Sequence, residues 1–123
     1  MVEVSLVSKF HSEDEKINRV LSIVGHTWAP QILHRLDYYG KMRYNELKSS
    51  LKNVSSTSLS RALNALTVNN AIEREVVGTN PPQVYYSLSK KGKALAKLLL
   101  DALEAEREIS GPEEQEGLEA LIK

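Results

Sequence analysis

The residues of this chain that could do chemistry are hydroxyls, amides and a few basic side chains, and they cluster. Ser55, Ser56, Thr57, Ser58, Ser60, Arg61 and Asn64 alternate with Leu59, Ala62, Leu63 and Leu66. At helical spacing the apolar residues turn inward and the polar set is left outward. Short hydroxyl side chains let another molecule approach closely. Asn64 can pair with adenine, and Arg61 can fork onto guanine or hold a phosphate. Ser55 is placed to cap this helix, and the free N–H groups at its start favour a phosphate oxygen. The chemistry on offer is recognition of a nucleic acid. A solvated polar face accounts for the same pattern without a partner.

Other chemistries find little support. The chain has no cysteine, which excludes disulfides, thiolate metal sites and thiol redox sensing. His11, His26 and His34 lack the spacing of a ligand set, so no metal is expected, and no cofactor is implied. No glycine loop for phosphates and no G-x-S-x-G elbow is present. Glu13, Asp14 and Glu15 cluster as charges of a helical first turn. An enzyme is not expected. Trp28 could line an effector pocket, but core packing is the simpler use of such a side chain, and whether a small effector is sensed stays open.

Charge is distributed unevenly although the formal net charge is zero. Residues 1–33 carry three basic and four acidic side chains, residues 34–97 eleven and four, and residues 98–123 two and eight. The middle block is therefore +7 and the C-terminal segment −6. Screening confines each field to about 8 to 10 Å, so the basic block can neutralise phosphates despite the acidic end.

The elements that must position these residues follow from periodicity. A chain of 123 residues fits one domain, with residues 1–109 as its body and residues 110–123 as an acidic tail, frayed or shortly helical. Ser12 and Glu15 form a capping box that predicts the start of a first helix, with Ile17, Val20, Leu21 and Val24 on one face and Gly25 at its end. Thr27 is placed to cap a second helix carrying Trp28, Ile32, Leu33 and Leu36, with Pro30 in its first turn. After a turn at Tyr39-Gly40-Lys41 and a short extended piece, Met42-Arg43-Tyr44, Asn45 is placed to cap a third helix that buries Leu47 and Leu51. Lys52-Asn53-Val54 then makes a three-residue link to the helix begun by Ser55, the spacing of a helix-turn-helix. Asn69-Asn70 stops that helix. Ile72 to Val77 and Val84 to Leu88 read as two strands around a loop at Gly78 to Gln83. Ile72, Val76, Val84, Tyr86 and Leu88 would share one face. Ser89 caps a long last helix that Ser110-Gly111-Pro112 breaks.

Four segments together resemble the HxlR-type branch of winged helix bacterial and archaeal regulators, more distantly related to the MarR group. They are Val24-Gly25-His26-Thr27-Trp28 with Ile32-Leu33; Arg43-Tyr44-Asn45-Glu46-Leu47; Val54-Ser55 with Leu59-Ser60-Arg61-Ala62-Leu63; and Pro81-Pro82 with Val84-Tyr85-Tyr86-Ser87-Leu88-Ser89-Lys90-Lys91-Gly92. The resemblance implies an α+β, mainly α, winged helix-turn-helix fold with a small β-hairpin wing and long terminal helices. It implies a homodimer that binds a pseudo-palindromic operator in double-stranded DNA, with helix 55–69 in the major groove and the wing at 72–88 beside it. The chain departs from the family's pattern at His26, where a lysine is usual, and at Val24, where a second glycine is usual. Of the wing arginines only Arg74 remains; Glu75 and Gln83 replace others. Many members sense oxidants through an N-terminal cysteine, and this chain cannot.

On this reading Arg43, Lys90 and Lys91 are candidate phosphate contacts. Arg74 supplies the wing's one base, with Thr79, Asn80 and Gln83 as neutral donors. Leu95, Leu98, Leu99, Ala102 and Leu103, completed by Ile17, Val20 and Leu21, form an apolar face suited to a second copy, although an intramolecular core explains the same spacing. No apolar run approaches the ~18 to 20 residues that span a bilayer, and the N-terminus lacks a signal-peptide pattern, so a cytoplasmic place is expected. The alternative is a winged helix that docks on proteins without specific DNA binding. Such a face should present apolar anchors, whereas this one presents Ser, Thr, Asn and Arg.

Overall fold

The computed structural model describes residues 2–122, and the side chains of residues 6–111. The elements run α1 (Val2–Val24), α2 (Ala29–Tyr39), β1 (Met42–Arg43), α3 (Tyr44–Ser50), α4 (Ser56–Val68), β2 (Ile72–Val77), β3 (Gln83–Leu88) and α5 (Lys90–Ile122). This is the anticipated order: mostly helical, with one small antiparallel sheet whose strands lie in the order β1-β3-β2.

The core is wholly apolar among the described residues. Ile32, Leu33 and Leu36 of α2, Leu47 of α3 and Leu59 and Leu66 of α4 are essentially inaccessible to solvent. Ile72, Tyr86 and Leu88 cover them from the sheet, and Leu95 and Ala96 from α5. In α2 and α4 the helical period thus chose the buried stripe, as the sequence predicts. Trp28 packs half-buried against this core.

Helix boundaries depart from expectation in four places. First, α1 begins at Val2 and passes straight through Ser12. The Ser12–Glu15 pair is therefore a stretch of solvated helix surface, and among the described side chains of α1 the buried one is Ile23, one step from the anticipated stripe. Second, Trp28 and not Thr27 precedes α2, in a left-handed conformation with φ 72° and without a side-chain cap; Pro30 sits in the first turn as expected.

Third, α3 starts after Arg43. The Glu46 carboxylate accepts from the Arg43 N–H at 2.9 Å, half of a capping box. A guanidinium has no acceptor with which to return the bond, so Glu46 alone defines this end, and Asn45 lies inside the helix. Fourth, the link between α3 and α4 runs from Leu51 to Ser55, longer than three residues. Leu51 and Val54 are buried under it, and Asn53 turns the chain at φ 62°.

Two junctions fix α4 in the fold. At its start Ser55 Oγ accepts from the Ser58 N–H at 3.0 Å. At its end Asn70 is left-handed with φ 59°, while the Ala71 N–H donates to the Leu66 carbonyl at 2.9 Å and the Asn70 N–H to the Thr67 carbonyl at 3.0 Å. That is a Schellman closure, with buried Ala71 as its apolar contact. Ser89 then binds α5 to the same turn, because its hydroxyl donates to the Asn70 carbonyl at 2.6 Å and accepts from the Gly92 N–H at 3.0 Å, while its backbone N–H donates to the Ala71 carbonyl at 3.1 Å. A Cβ on Gly92 would lie 1.9 Å from the Ala71 carbonyl oxygen, so only glycine permits this approach.

In α5, Gly111 leaves the helical region at φ 76° and ψ 172°, which places a kink at the anticipated break before helical backbone resumes.

Candidate nucleic-acid interface

Helix α4 presents its outward stripe as expected. Thr57, Arg61 and Asn64 are exposed and stand opposite the buried Leu59, Ala62, Leu63 and Leu66. Arg61 has no ion-pair partner among the described residues. Ser56 and Ser60 lie along the flank that faces α3 and the hairpin. Ser58 falls on the opposite flank, half-buried, and its hydroxyl already accepts from Ser55 Oγ at 3.0 Å. Ser55 and Ser58 thus close the helix start, and Ser56 and Thr57 form its exposed first turn.

Two side chains that the sequence reading did not select organise this end. Lys48 of α3 reaches across to donate to Ser56 Oγ at 2.7 Å, and the Tyr44 hydroxyl donates to the Ser56 carbonyl at 3.3 Å. The hydroxyls of Ser60 and then Ser56, with the charge of Lys48, hold the Tyr44 phenol below its ordinary pKa against an opposing desolvation effect. Tyr44 and Lys48 stand four residues apart, hence on one face of α3; that spacing was the available signal.

The sheet's register sorts the wing residues onto two faces. Arg74 opposes Tyr86, and Met42 opposes Tyr86 from the other side, while Arg43 and Glu75 both oppose Tyr85. Successive strand residues point to opposite faces, so Arg74 and Arg43 are on opposite sides. Arg74 faces α4 and, with Tyr44, Ser60, Asn64, Thr67 and Tyr86, lines a groove of about 190 Å³ between helix and hairpin. The wing's base thus belongs to the helix surface. Arg43 lies apart, and Glu46 sits 3.6 Å from its Nε.

Glu75, the acidic substitution in the wing, does not stand alone. Lys41 donates to it at 2.7 Å, and the Lys41 ammonium lies 5.7 Å from the centre of the Tyr85 ring. The hydrogen bond to Glu75, then its charge, raise the Lys41 pKa. The pair sets a positive charge directly beside the Glu75 carboxylate on this face of the sheet. Gln83 accepts from the Tyr85 hydroxyl at 2.9 Å through its side-chain oxygen, which leaves its amide N–H groups as donors. Thr79 and Asn80 are exposed in the loop beyond. Val76 and Val84 do share a face with Ile72, Tyr86 and Leu88, yet Val76 stands half in solvent near the tip.

Lys90 and Lys91 are not brought to the helix start. Ser89 ties them to the C-terminal end of α4, about 20 Å along the axis from Ser56. The face proposed for a second copy also divides. Ile17, Leu21, Leu98, Ala102 and Leu103 are exposed, Val20 and Leu99 half-buried, and Leu95 is withdrawn, 7% exposed, into the protomer's own core. Leu95 lies in the early turns of α5, where the helix packs on α2 and β3; only beyond it does the apolar stripe clear the domain.

The comparisons with known proteins agree with this geometry. Residues 23–111 match the model of the HxlR-like helix-turn-helix family, from the buried Ile23 of α1 to the kink in α5. The HTH-type transcriptional regulator YvaP of Bacillus subtilis is 32% identical over 84 residues, 68% of this chain and 77% of that protein. The reduced form of the transcriptional regulator YodB from B. subtilis superposes with a TM-score of 0.66 at 29% identity, over 75% of this chain and 88% of that one. A transcriptional regulator of the MarR family from Enterococcus faecalis V583 superposes with a TM-score of 0.72 at 25% identity, over 79% of this chain and 87% of that one. No helix among the described residues is long and apolar enough to cross a membrane. The chain belongs to the HxlR-like helix-turn-helix family of winged helix transcriptional regulators.

Proposed function

We propose that this regulator is a cytoplasmic homodimer that binds a pseudo-palindromic operator, with α4 in the major groove and the β2–β3 hairpin beside it. The observation that carries the reading is the stripe Thr57-Arg61-Asn64, exposed and free of carboxylates on a rigidly capped helix. A major groove admits one α-helix, and this one offers donors for base edges along its middle. Ser56 and Lys48 supply phosphate contacts at its first turn, and Arg74 does so from the groove beside it. The reading favours DNA over a protein partner because docking on protein would call for apolar anchors where α4 presents polar ones.

A second copy fits the exposed apolar residues of α1 and α5. Leu6, Val7, Phe10, Ile17 and Leu21 stand uncovered along a helix about 34 Å long. Leu98, Leu103 and Ile109 continue the pattern on α5.

The test is a salt titration of affinity for random duplex DNA, read with the molar mass in solution. A dimer whose log affinity falls linearly with log salt, by about 0.9 per contacted phosphate, supports the reading. A monomer, or no binding at about 50 mM salt, overturns it.

A further inference from the structure

We propose that the cavity where the ends of α2 and β3 meet the start of α5 binds a free aliphatic amino acid, its ammonium on Asp37 and its carboxylate on Lys93. The cavity measures about 440 Å³ and is lined by Leu36, Asp37, Gly40, Ser87, Leu88 and Lys93. None of these belongs to the groove beside α4 or to the exposed apolar residues of α1 and α5. Leu36 and Leu88 are buried and give the cavity an apolar floor, and Ser87 adds a hydroxyl. A Cβ on Gly40 would meet nothing within 4 Å, so the cavity is open at the end of α2.

Asp37 and Lys93 are the charged residues of this lining, and their signs are opposite. Both are exposed, and neither has an ion-pair partner among the described residues, so they do not reach each other. Each also stands at the helix end that repels it. Asp37 lies in the last turn of α2, where carbonyls concentrate negative partial charge, and Lys93 in the first turn of α5, where amides concentrate positive. Such placements cost stability, and the fold gains no pair in return. What they create is a gap with one negative and one positive wall, each reinforced by its helix end.

A zwitterion answers that gap. Its ammonium donates to the Asp37 carboxylate and its carboxylate accepts from the Lys93 ammonium, two charge-assisted bonds that the chain leaves unmade. A simple anion is attracted by Lys93 and repelled by Asp37, and a simple cation meets the reverse. An aliphatic side chain then covers Leu36 and Leu88. The volume lies in the lower part of the range of ligand pockets, which suits a single amino acid. The site stands whether or not α4 reads DNA.

The experiment is a calorimetric and 1H–15N NMR titration of the whole chain with L-leucine, isocaproate and isoamylamine. The last two keep the leucine side chain and lack its ammonium and its carboxylate respectively. Leucine is expected to bind about tenfold tighter than either, with shifts centred on residues 36–40, 87–88 and 93. Asp37→Asn should erase the advantage over isocaproate, and Lys93→Gln the advantage over isoamylamine. Both positions are exposed and outside the core, so each variant should keep the wild-type spectrum elsewhere. Equal affinity for the three compounds, or an advantage that survives its variant, overturns the proposal. So do cavity amides that ignore leucine up to its solubility, and shifts that fall instead on α1 and the distal half of α5, which assign leucine to the exposed apolar face.

Discussion

Arg61 carries the sharpest expectation at the scale of single residues. It lies on the outermost stripe of α4 with no ion-pair partner among the described residues, so truncation removes no packing and no internal pair. Arg61→Ala should leave the melting temperature unchanged and weaken operator binding by about 1 to 3 kcal/mol, read by fluorescence anisotropy. Unchanged affinity would remove α4 from the groove. Tyr44 makes a different test. Because Ser60 is the largest cause of its lowered pKa, Ser60→Ala should move the phenol back up, as followed by the 13C shift of its ring. The sign for stability follows. A group depressed in the folded state stabilises the fold above its unfolded pKa, so the wild-type chain should gain over Ser60→Ala only in alkaline solution.

Among the elements, the sequence disclosed interiors better than ends. The stripes Ile32-Leu33-Leu36 and Leu59-Ala62-Leu63-Leu66 follow from a period that burial enforces, so they were legible. A cap is a local preference, and tertiary structure overrode three of them. Ser12 can cap or can sit on a solvated turn with nearly equal ease, and residues before it had enough apolar character to extend α1. Trp28 enters a left-handed conformation that its type disfavours, against a core that its ring helps to cover. Asn45 yielded to Arg43 because strand β1 pairs with β3 through Arg43, and the helix can start only where that ladder ends. The candidate site was legible along α4, where one helix shows both faces. It was not legible where two elements meet: Lys48 on Ser56, Lys41 on Glu75, and Arg74 turned toward α4 all depend on register. The contrast between caps is measurable. Ser55→Ala should cost about 1 kcal/mol in chemical denaturation, whereas Ser12→Ala should cost nothing. Gly92→Ala, which drives a methyl into the Ala71 carbonyl, should cost more than either, about 2 kcal/mol or above.

For the whole molecule the deciding quantity is apolar surface with nothing on it. The N-terminal part of α1 leaves the domain, and Leu6, Val7, Phe10, Ile17 and Leu21 along it are roughly half exposed. An isolated amphipathic helix gains little from its own propensity and needs a partner for its apolar face. The family match begins only at residue 23, so the shared fold does not supply that partner within the protomer. If a second copy supplies it, Phe10→Glu with Ile17→Glu should convert a dimer to a monomer by light scattering, because each copy would bury carboxylates against apolar surface. The core of the domain should survive, since neither residue belongs to it, and its melting should lose only the part that depends on concentration. Operator binding should fall much further than binding of a single half-site, because two tethered recognition helices share one association and separate ones do not. A variant that remains dimeric would place the interface on α5 alone, and one that becomes monomeric with undiminished operator affinity would show that α4 reads DNA one copy at a time.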